Sequence, residues 1–315
     1  MGVADPCSED AAALHQARLD HHYNPQFYLD QWTGADGKLL YYKRVATGAI
    51  IETSIAPRST SYEPNLYAAP PALAWETHDP HLIEKEVMSP IDSAASLVLK
   101  KLVQDNPIAL TSTDRVAFAT FLNSLQHRHR DPILERDVAA PQMAREFKAK
   151  LLERYASPAD QARVSSAISD EEVEQIAKNA HRSAMVQAIR NGEAIEDFQK
   201  LAWDVIAVPS ITPLITTDRP LLVNLGEGGA VQIATMALSP TRLFMGYPAW
   251  WQTKADTADV IDLFEHIALV HDLMLLNEQK CRYVYSSRRV ESFVVGDKTI
   301  HLRKAVEQAL ARWPL

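Results

Sequence analysis

From Leu39 to Val45 and from Ala49 to Ser54 the chain alternates β-like residues around Ala46-Thr47-Gly48, which predicts a hairpin. Residues 53–80 are rich in Ser, Thr and Pro and carry no period, so they are expected to form an ordered loop. The period then becomes helical. Leu82, Val87, Ile91, Ala94, Ala95, Val98, Leu99 and Leu102 step by three and four, predicting a helix kinked or broken at Pro90. Thr111-Ser112-Thr113-Asp114 opens a second helix that stops by Pro132. A third is expected over 141–155. Ser169 with Glu172 is a capping box for a fourth running towards Arg190, and 194–206 add another. Strands follow near 213–217, 231–235 and 242–245. A long helix over 257–279 keeps Val260, Leu263, Phe264, Ile267, Val270 and Met274 on one face. Strands near 283–285, 292–295 and 299–302 close the chain. Strands at both ends and helices between them predict an α+β fold. Its body is expected to be predominantly helical, with small antiparallel β elements near the N-terminal and C-terminal parts.

Composition changes this picture little. At 315 residues, 47% hydrophobic and 23% charged, the chain has the balance of a folded soluble protein. The expectation is an N-terminal tail over 1–19 and a single domain over 20–315. A net charge of −8 argues against extensive non-specific binding to nucleic acid or to anionic lipid. Cys7 and Cys281 are too far apart in sequence to suggest a disulfide framework or a thiolate zinc site. The N-terminus lacks the basic and apolar regions of a secretory signal. The apolar stretch from Ile267 to Leu276 is interrupted by His271 and Asp272, and is shorter than the ~20 residues of a membrane helix. A cytoplasmic location with no membrane partner is expected.

Several segments together resemble one family. They are His22-Tyr-Asn-Pro-Gln-Phe-Tyr-Leu29, Tyr62-Glu-Pro-Asn-Leu-Tyr67, Ile83-Glu84 with Ile91-Asp92, and Arg130-Asp131-Pro132. Ile215-Thr-Thr-Asp-Arg-Pro220 leading to Leu238-Ser-Pro240, and Asn277 to Tyr285, complete the set. In this order and spacing the chain is similar to the bacterial family catalogued as domain of unknown function 4238, over about residues 20 to 290. Thr217 stands where that family more often has Ser, and Asp131 where Asn is common; both keep a small hydrogen-bonding side chain. The resemblance supplies positions and no mechanism.

The chemistry must therefore be read from the residues themselves. His22 suits a general base or a metal ligand, or else a hydrogen-bonded ring that orients the chain entry. Adjacent side chains on a strand point to opposite faces, so at most one of His21 and His22 serves a site. Arg130 closes the basic run Gln126-His-Arg-His-Arg130, where a guanidinium fork suits phosphate or carboxylate. Asp218 either holds backbone N–H groups at a turn or faces a cleft. Tyr23, Glu63, Arg219 and Asn277 are the substrate-binding candidates from the same segments. Glu84 and Asp92 are the carboxylates that suit a divalent metal such as Mg²⁺ or Mn²⁺. His78 and His81 make an unconvincing zinc pair beside Pro80. Asn224 to Gly229 reads as a hairpin loop. Trp250-Trp251 is expected in the core. P-loop, nucleophile-elbow, HExxH and kinase motifs are absent.

Two functions fit. One is a hydrolase, phosphodiester cleavage included, with His22 as base, Arg130 clamping an anionic ligand, and Asp218 orienting the imidazole or holding a metal. The other is a non-catalytic binding or regulatory module whose polar motifs are structural networks.

Overall fold

The computed structural model describes residues 19–73, 75–104, 109–208, 213–251, 270–277, 281–290, 293–295, 298–300 and 302–312. Contacts divide the chain into two compact units. The first comprises residues through His21, Glu63–Pro90 and Arg128–Ile189; the second comprises His22–Tyr62, Ile91–His127 and Arg190–Leu315. The expected tail over 1–19 and most of the expected helix over 257–279 lie outside the described residues.

In the second unit, β2 (Leu39–Arg44) and β3 (Ile50–Ile55) form the expected hairpin, with Leu39 opposite Ile55 and Arg44 opposite Ile50. Its turn closes through Gly48 N–H to Val45 O at 2.8 Å, and Gly48 takes φ +84°, a conformation that favours glycine. The antiparallel sheet continues through β10 (Tyr283–Ser286) to the two-residue β6 (Thr216–Thr217), in the order β3-β2-β10-β6. A second antiparallel sheet runs β5-β9-β8-β7, from Ala202–Ala207, Arg242–Tyr247, Val231–Ser239 and Leu221–Leu225. Gly226 to Gly229 makes the expected hairpin loop between β7 and β8, closed by Gly226 N–H to Ala230 O. Helix α3 (Ser112–His127) packs against α7 (Gly192–Lys200) beside this sheet. Phe118, Phe121, Leu122, Phe198, Met236, Leu243 and Phe244 join Tyr28, Leu29 and Trp32 in one continuous core. A smaller core gathers Tyr42, Ile215, Leu276, Cys281, Val284, Val306 and Leu310, with α9 (Leu302–Ala311) supplying the last two.

The first unit is helical. Its α4 (Arg130–Leu152) packs on α6 (Asp170–Ile189), with α5 (Pro158–Ala167) between them in sequence. Ile133, Ala140, Ala144, Val173, Met185 and Ile189 are buried there. Arg182 is buried as well and grips Asp137 with two guanidinium bonds, 2.7 and 2.8 Å long.

The expected capping box at Ser169 forms, and Thr111 with Asp114 makes a reciprocal pair of the same kind at the start of α3. Asp114 N–H donates to Thr111 Oγ1 at 3.1 Å while Thr111 N–H donates to Asp114, and Ser169 and Glu172 do the same at 3.1 and 2.7 Å.

The α+β class holds, and several details differ. Beside two small two-stranded pairs, β1 (Asp20–His22) with β4 (Tyr62–Pro64) and β11 (Phe293–Val295) with β12 (Lys298–Ile300), the described residues form two four-stranded sheets, one drawn wholly from 202–247, where only small elements near the two chain ends were expected. The helix does not end at Pro90: a π-helical turn over Glu84–Met88 leads into α2 (Ser89–Leu102), and this widened turn is the irregularity that accommodates the proline. Pro141 lies inside α4, where a helix start was expected. Burial of Ala140 and Ala144 on either side outweighs the one missing N–H bond. The helix expected over 194–206 ends at Lys200, and Trp203 to Ile206 join β5. Trp250 is 58% exposed, against its expected place in the core. Among the described residues no helix is long and apolar enough to cross a membrane.

Candidate functional site

In the second unit three of the family-like segments meet. Asn24 Nδ2 donates to Thr217 O at 3.0 Å. The Tyr28 hydroxyl sits 2.6 Å from Thr216 Oγ1 and donates to Ala237 O at 2.7 Å. Thr217 Oγ1 accepts from Arg219 N–H at 3.0 Å. Asp218 Oδ1 accepts from Arg282 N–H and Tyr283 N–H at 3.0 and 3.2 Å. Asn24, Tyr28, Thr216, Thr217 and Asp218 are all buried. The β6–β10 register, Thr216 opposite Tyr285, is what brings these segments into line.

Beside them lies a cluster of hydroxyls. Tyr285 Oη is 2.6 Å from Ser61 Oγ and 2.9 Å from Thr60 Oγ1. Neighbouring residues on an extended strand point opposite ways. Ser61 instead takes φ +52°, and this left-handed kink lets both hydroxyls reach one phenol. The rings of Tyr41, Tyr283 and Tyr285 lie against one another, 5.1 to 6.3 Å apart. Burial, reinforced by the Asp218 charge, holds the Tyr285 phenol well above the usual tyrosine range, so it stays a protonated donor. Burial first and Asp218 second push the Cys281 thiol up to about 12, which leaves it unreactive.

The first unit holds a histidine pair. Tyr67 N–H donates to His21 Nδ1 at 2.9 Å, and His21 Nε2 lies 3.2 Å from His81 Nδ1. The backbone donor sets the tautomers: His21 Nδ1 must be the acceptor, so its proton sits on Nε2 and points to His81 Nδ1. The neutral His81 ring then carries its proton on Nε2. Both lone pairs of the pair are engaged, which makes it a hydrogen-bond donor at its His81 end and unsuited to act as a base. The Tyr67 ring stacks on His21 with centroids 5.4 Å apart, and its hydroxyl donates to Arg128 O at 2.7 Å. Nearby in sequence, Arg130 pairs with Glu63 and, at 3.4 Å, with Asp131, while His129 caps α4 by accepting from Asp131 N–H.

Among the candidates chosen from the sequence, His22, Tyr23, Asp92, Asp218, Arg219 and Asn277 belong to the second unit, and Glu63, Glu84 and Arg130 to the first. Of these, the structure joins Glu63 with Arg130 directly. His22 is half-buried and bonds Arg58 O at 3.3 Å. Tyr23 is buried and its N–H donates to Ser61 O. Asn277 receives the Arg312 guanidinium on its carbonyl and side-chain oxygens at 2.9 and 3.1 Å. Glu84 accepts from Ser89 Oγ at 3.4 Å, and Asp92 lies in the first turn of α2. Among the described residues no group of three or more His, Cys, Asp and Glu is arranged to hold a metal ion. His78 bonds Ala69 O and His81 bonds His21, so neither serves a zinc pair with the other.

The sequence reading weighed His21 only against His22 and His81 only with His78, and it gave no role to Ser61 or Tyr285. For His21 a signal existed: it shares strand parity with the apolar Tyr23, whereas His22 takes the opposite face. His81 and Ser61 lie 60 and 224 positions from their partners, and no local pattern marks such pairs.

Searches of curated proteins and of solved structures return no match to this chain. The model of the family described as protein of unknown function (DUF4238) matches residues 20–293, and the chain belongs to that family.

Proposed function

We propose that the family motifs form a structural scaffold and that the chain works as a non-catalytic binding or regulatory module. The supporting observation is where the motif side chains go. Asn24, Tyr28, Thr217 and Asp218 in one unit, and His21 and Tyr67 in the other, each bond a main-chain group. Side chains that satisfy buried backbone groups fix chain paths, and a buried group so engaged is poorly placed to touch a substrate. A cytoplasmic location is part of this reading, since Cys281 is a free thiol.

Stability discriminates scaffold from catalyst. Replacing a catalytic group with an inert one usually leaves stability unchanged or raised. Asp218→Ala instead removes the acceptor of two part-buried N–H groups, and about 2 kcal/mol of stability is expected to go. Calorimetry should register this as a melting temperature lower by roughly 4–10 °C. Unchanged or higher melting in Asp218→Ala and in Asn24→Ala would overturn the scaffold reading.

A second reading, a hydrolase that uses His22 of the second unit as its base, has one supporting observation. His22 is half-buried, so its ring is within reach of solvent. Its test is turnover of a chromogenic phosphodiester: activity lost in His22→Gln supports it, and no turnover by the native protein rejects it for that substrate class.

A further inference from the structure

Two adjacent helical residues in the second unit attach to different sheets. On the helix over 270–277, His271 Nδ1 lies 3.0 Å from Thr235 Oγ1, which belongs to the β5-β9-β8-β7 sheet. Asp272 lies 3.3 and 3.4 Å from Ile215 N–H, at the residue leading into β6 of the other sheet. Successive helix positions diverge by about 100°, which is why neighbours can reach two partners so far apart in sequence. The Tyr28 hydroxyl makes a parallel tie between the same strands, from Thr216 to Ala237 O. We propose that the helix over 270–277 is a releasable clasp between the two four-stranded sheets, closed while His271 and Asp272 are both uncharged.

His271 and Asp272 are both buried. Among the described residues His271 Nε2 has no hydrogen-bond partner. The inexpensive arrangement is therefore a neutral ring that donates from Nδ1 to Thr235 and leaves only a lone pair unmet. Burial alone depresses His271 from 6.5 to about 3. Burial raises Asp272 well above 3.8, partly offset by the Ile215 N–H bond. Among the described residues the titratable group that interacts with Asp272 is the Tyr28 phenol, which burial keeps protonated.

The signs follow from proton counting between the closed and open clasp. Above pH 6.5 the open state has neutral His271 and ionised Asp272, so while Asp272 stays protonated in the closed clasp, opening releases one proton and rising pH favours it. Between 3.8 and 6.5 opening moves one proton off Asp272 and one onto His271, so pH has no effect. Below 3.8 opening takes up one proton and acid favours it.

Amide hydrogen exchange at Ile215 and over 270–277 in the full-length protein tests this, with rates corrected for their intrinsic pH dependence. Protection is expected to be flat between 3.8 and 6.5, then to fall above 6.5, by up to about tenfold per pH unit, until Asp272 ionises in the closed clasp. Asp272→Asn should remove the alkaline decline, leaving protection that rises with pH up to 6.5 and then levels. His271→Asn should extend the decline down to pH 3.8. Native protection that is level through pH 9 would overturn the proposal, with or without folded variants. So would variant profiles that copy the native one.

Discussion

Truncation of Phe244 to alanine is expected to destabilise the second unit by about 3–5 kcal/mol, the range for removing a fully buried phenyl ring. Phe244 lies on β9, the strand paired on both sides by β5 and β8, and has no solvent exposure. Its ring meets Phe118 of α3 and Trp203 of β5 edge-on, both at centroid separations of 5.4 Å. Phe118 and Trp203 also meet each other at 5.9 Å, so the three rings form a closed triangle joining helix to sheet. Edge-to-face pairs add to simple burial, and three rings that fix one another collapse poorly around a void. Urea denaturation followed by Trp fluorescence should show a lower midpoint with an unchanged slope. A loss under about 1 kcal/mol would mean that the triangle is loosely packed.

Arg182→Met is the counterpart in the first unit, with an expected loss of about 3 kcal/mol. The Arg182 side chain is 7% exposed and that of Asp137 22%, and their two bonds tie α6 to α4. Methionine fills much of the volume and leaves the Asp137 carboxylate poorly solvated without its guanidinium. The loss stays near the lower end of the range for buried pairs because water reaches Asp137 in part. Asp137→Leu combined with Arg182→Met should recover most of it, since the cost lies in the stranded charge. A double-mutant cycle with no coupling would show that the pair contributes nothing beyond packing.

Much of the architecture was legible where the determinants are local. Thr111 with Asp114 and Ser169 with Glu172 announce helix starts because the bonds close within three residues. The Gly48 hairpin is legible for the same reason. Pro141 misled because a local penalty was weighed without the packing of α4 on α6, which no short window contains. Residues 201–206 misled because Trp203, Val205 and Ile206 suit either period, and only pairing with β9 decides for the strand. The candidate site was legible as a set of segments and illegible as a set of partners. Asp218 was rightly weighed as a holder of turn amides, although those amides belong to Arg282 and Tyr283. The choice of His22 over His21 considered reactivity first, and strand parity with Tyr23 points to the inner ring.

The buried Cys281 gives the chain a reporter of its own. Its sulfur stays protonated and shielded in the folded molecule, so an aromatic disulfide reagent adds only to molecules in which the smaller core has come apart. With Cys7 replaced by serine, the yellow colour released over time counts those excursions one by one. The rate of labelling then becomes a clock for the breathing of the C-terminal layer, legible in an ordinary spectrophotometer.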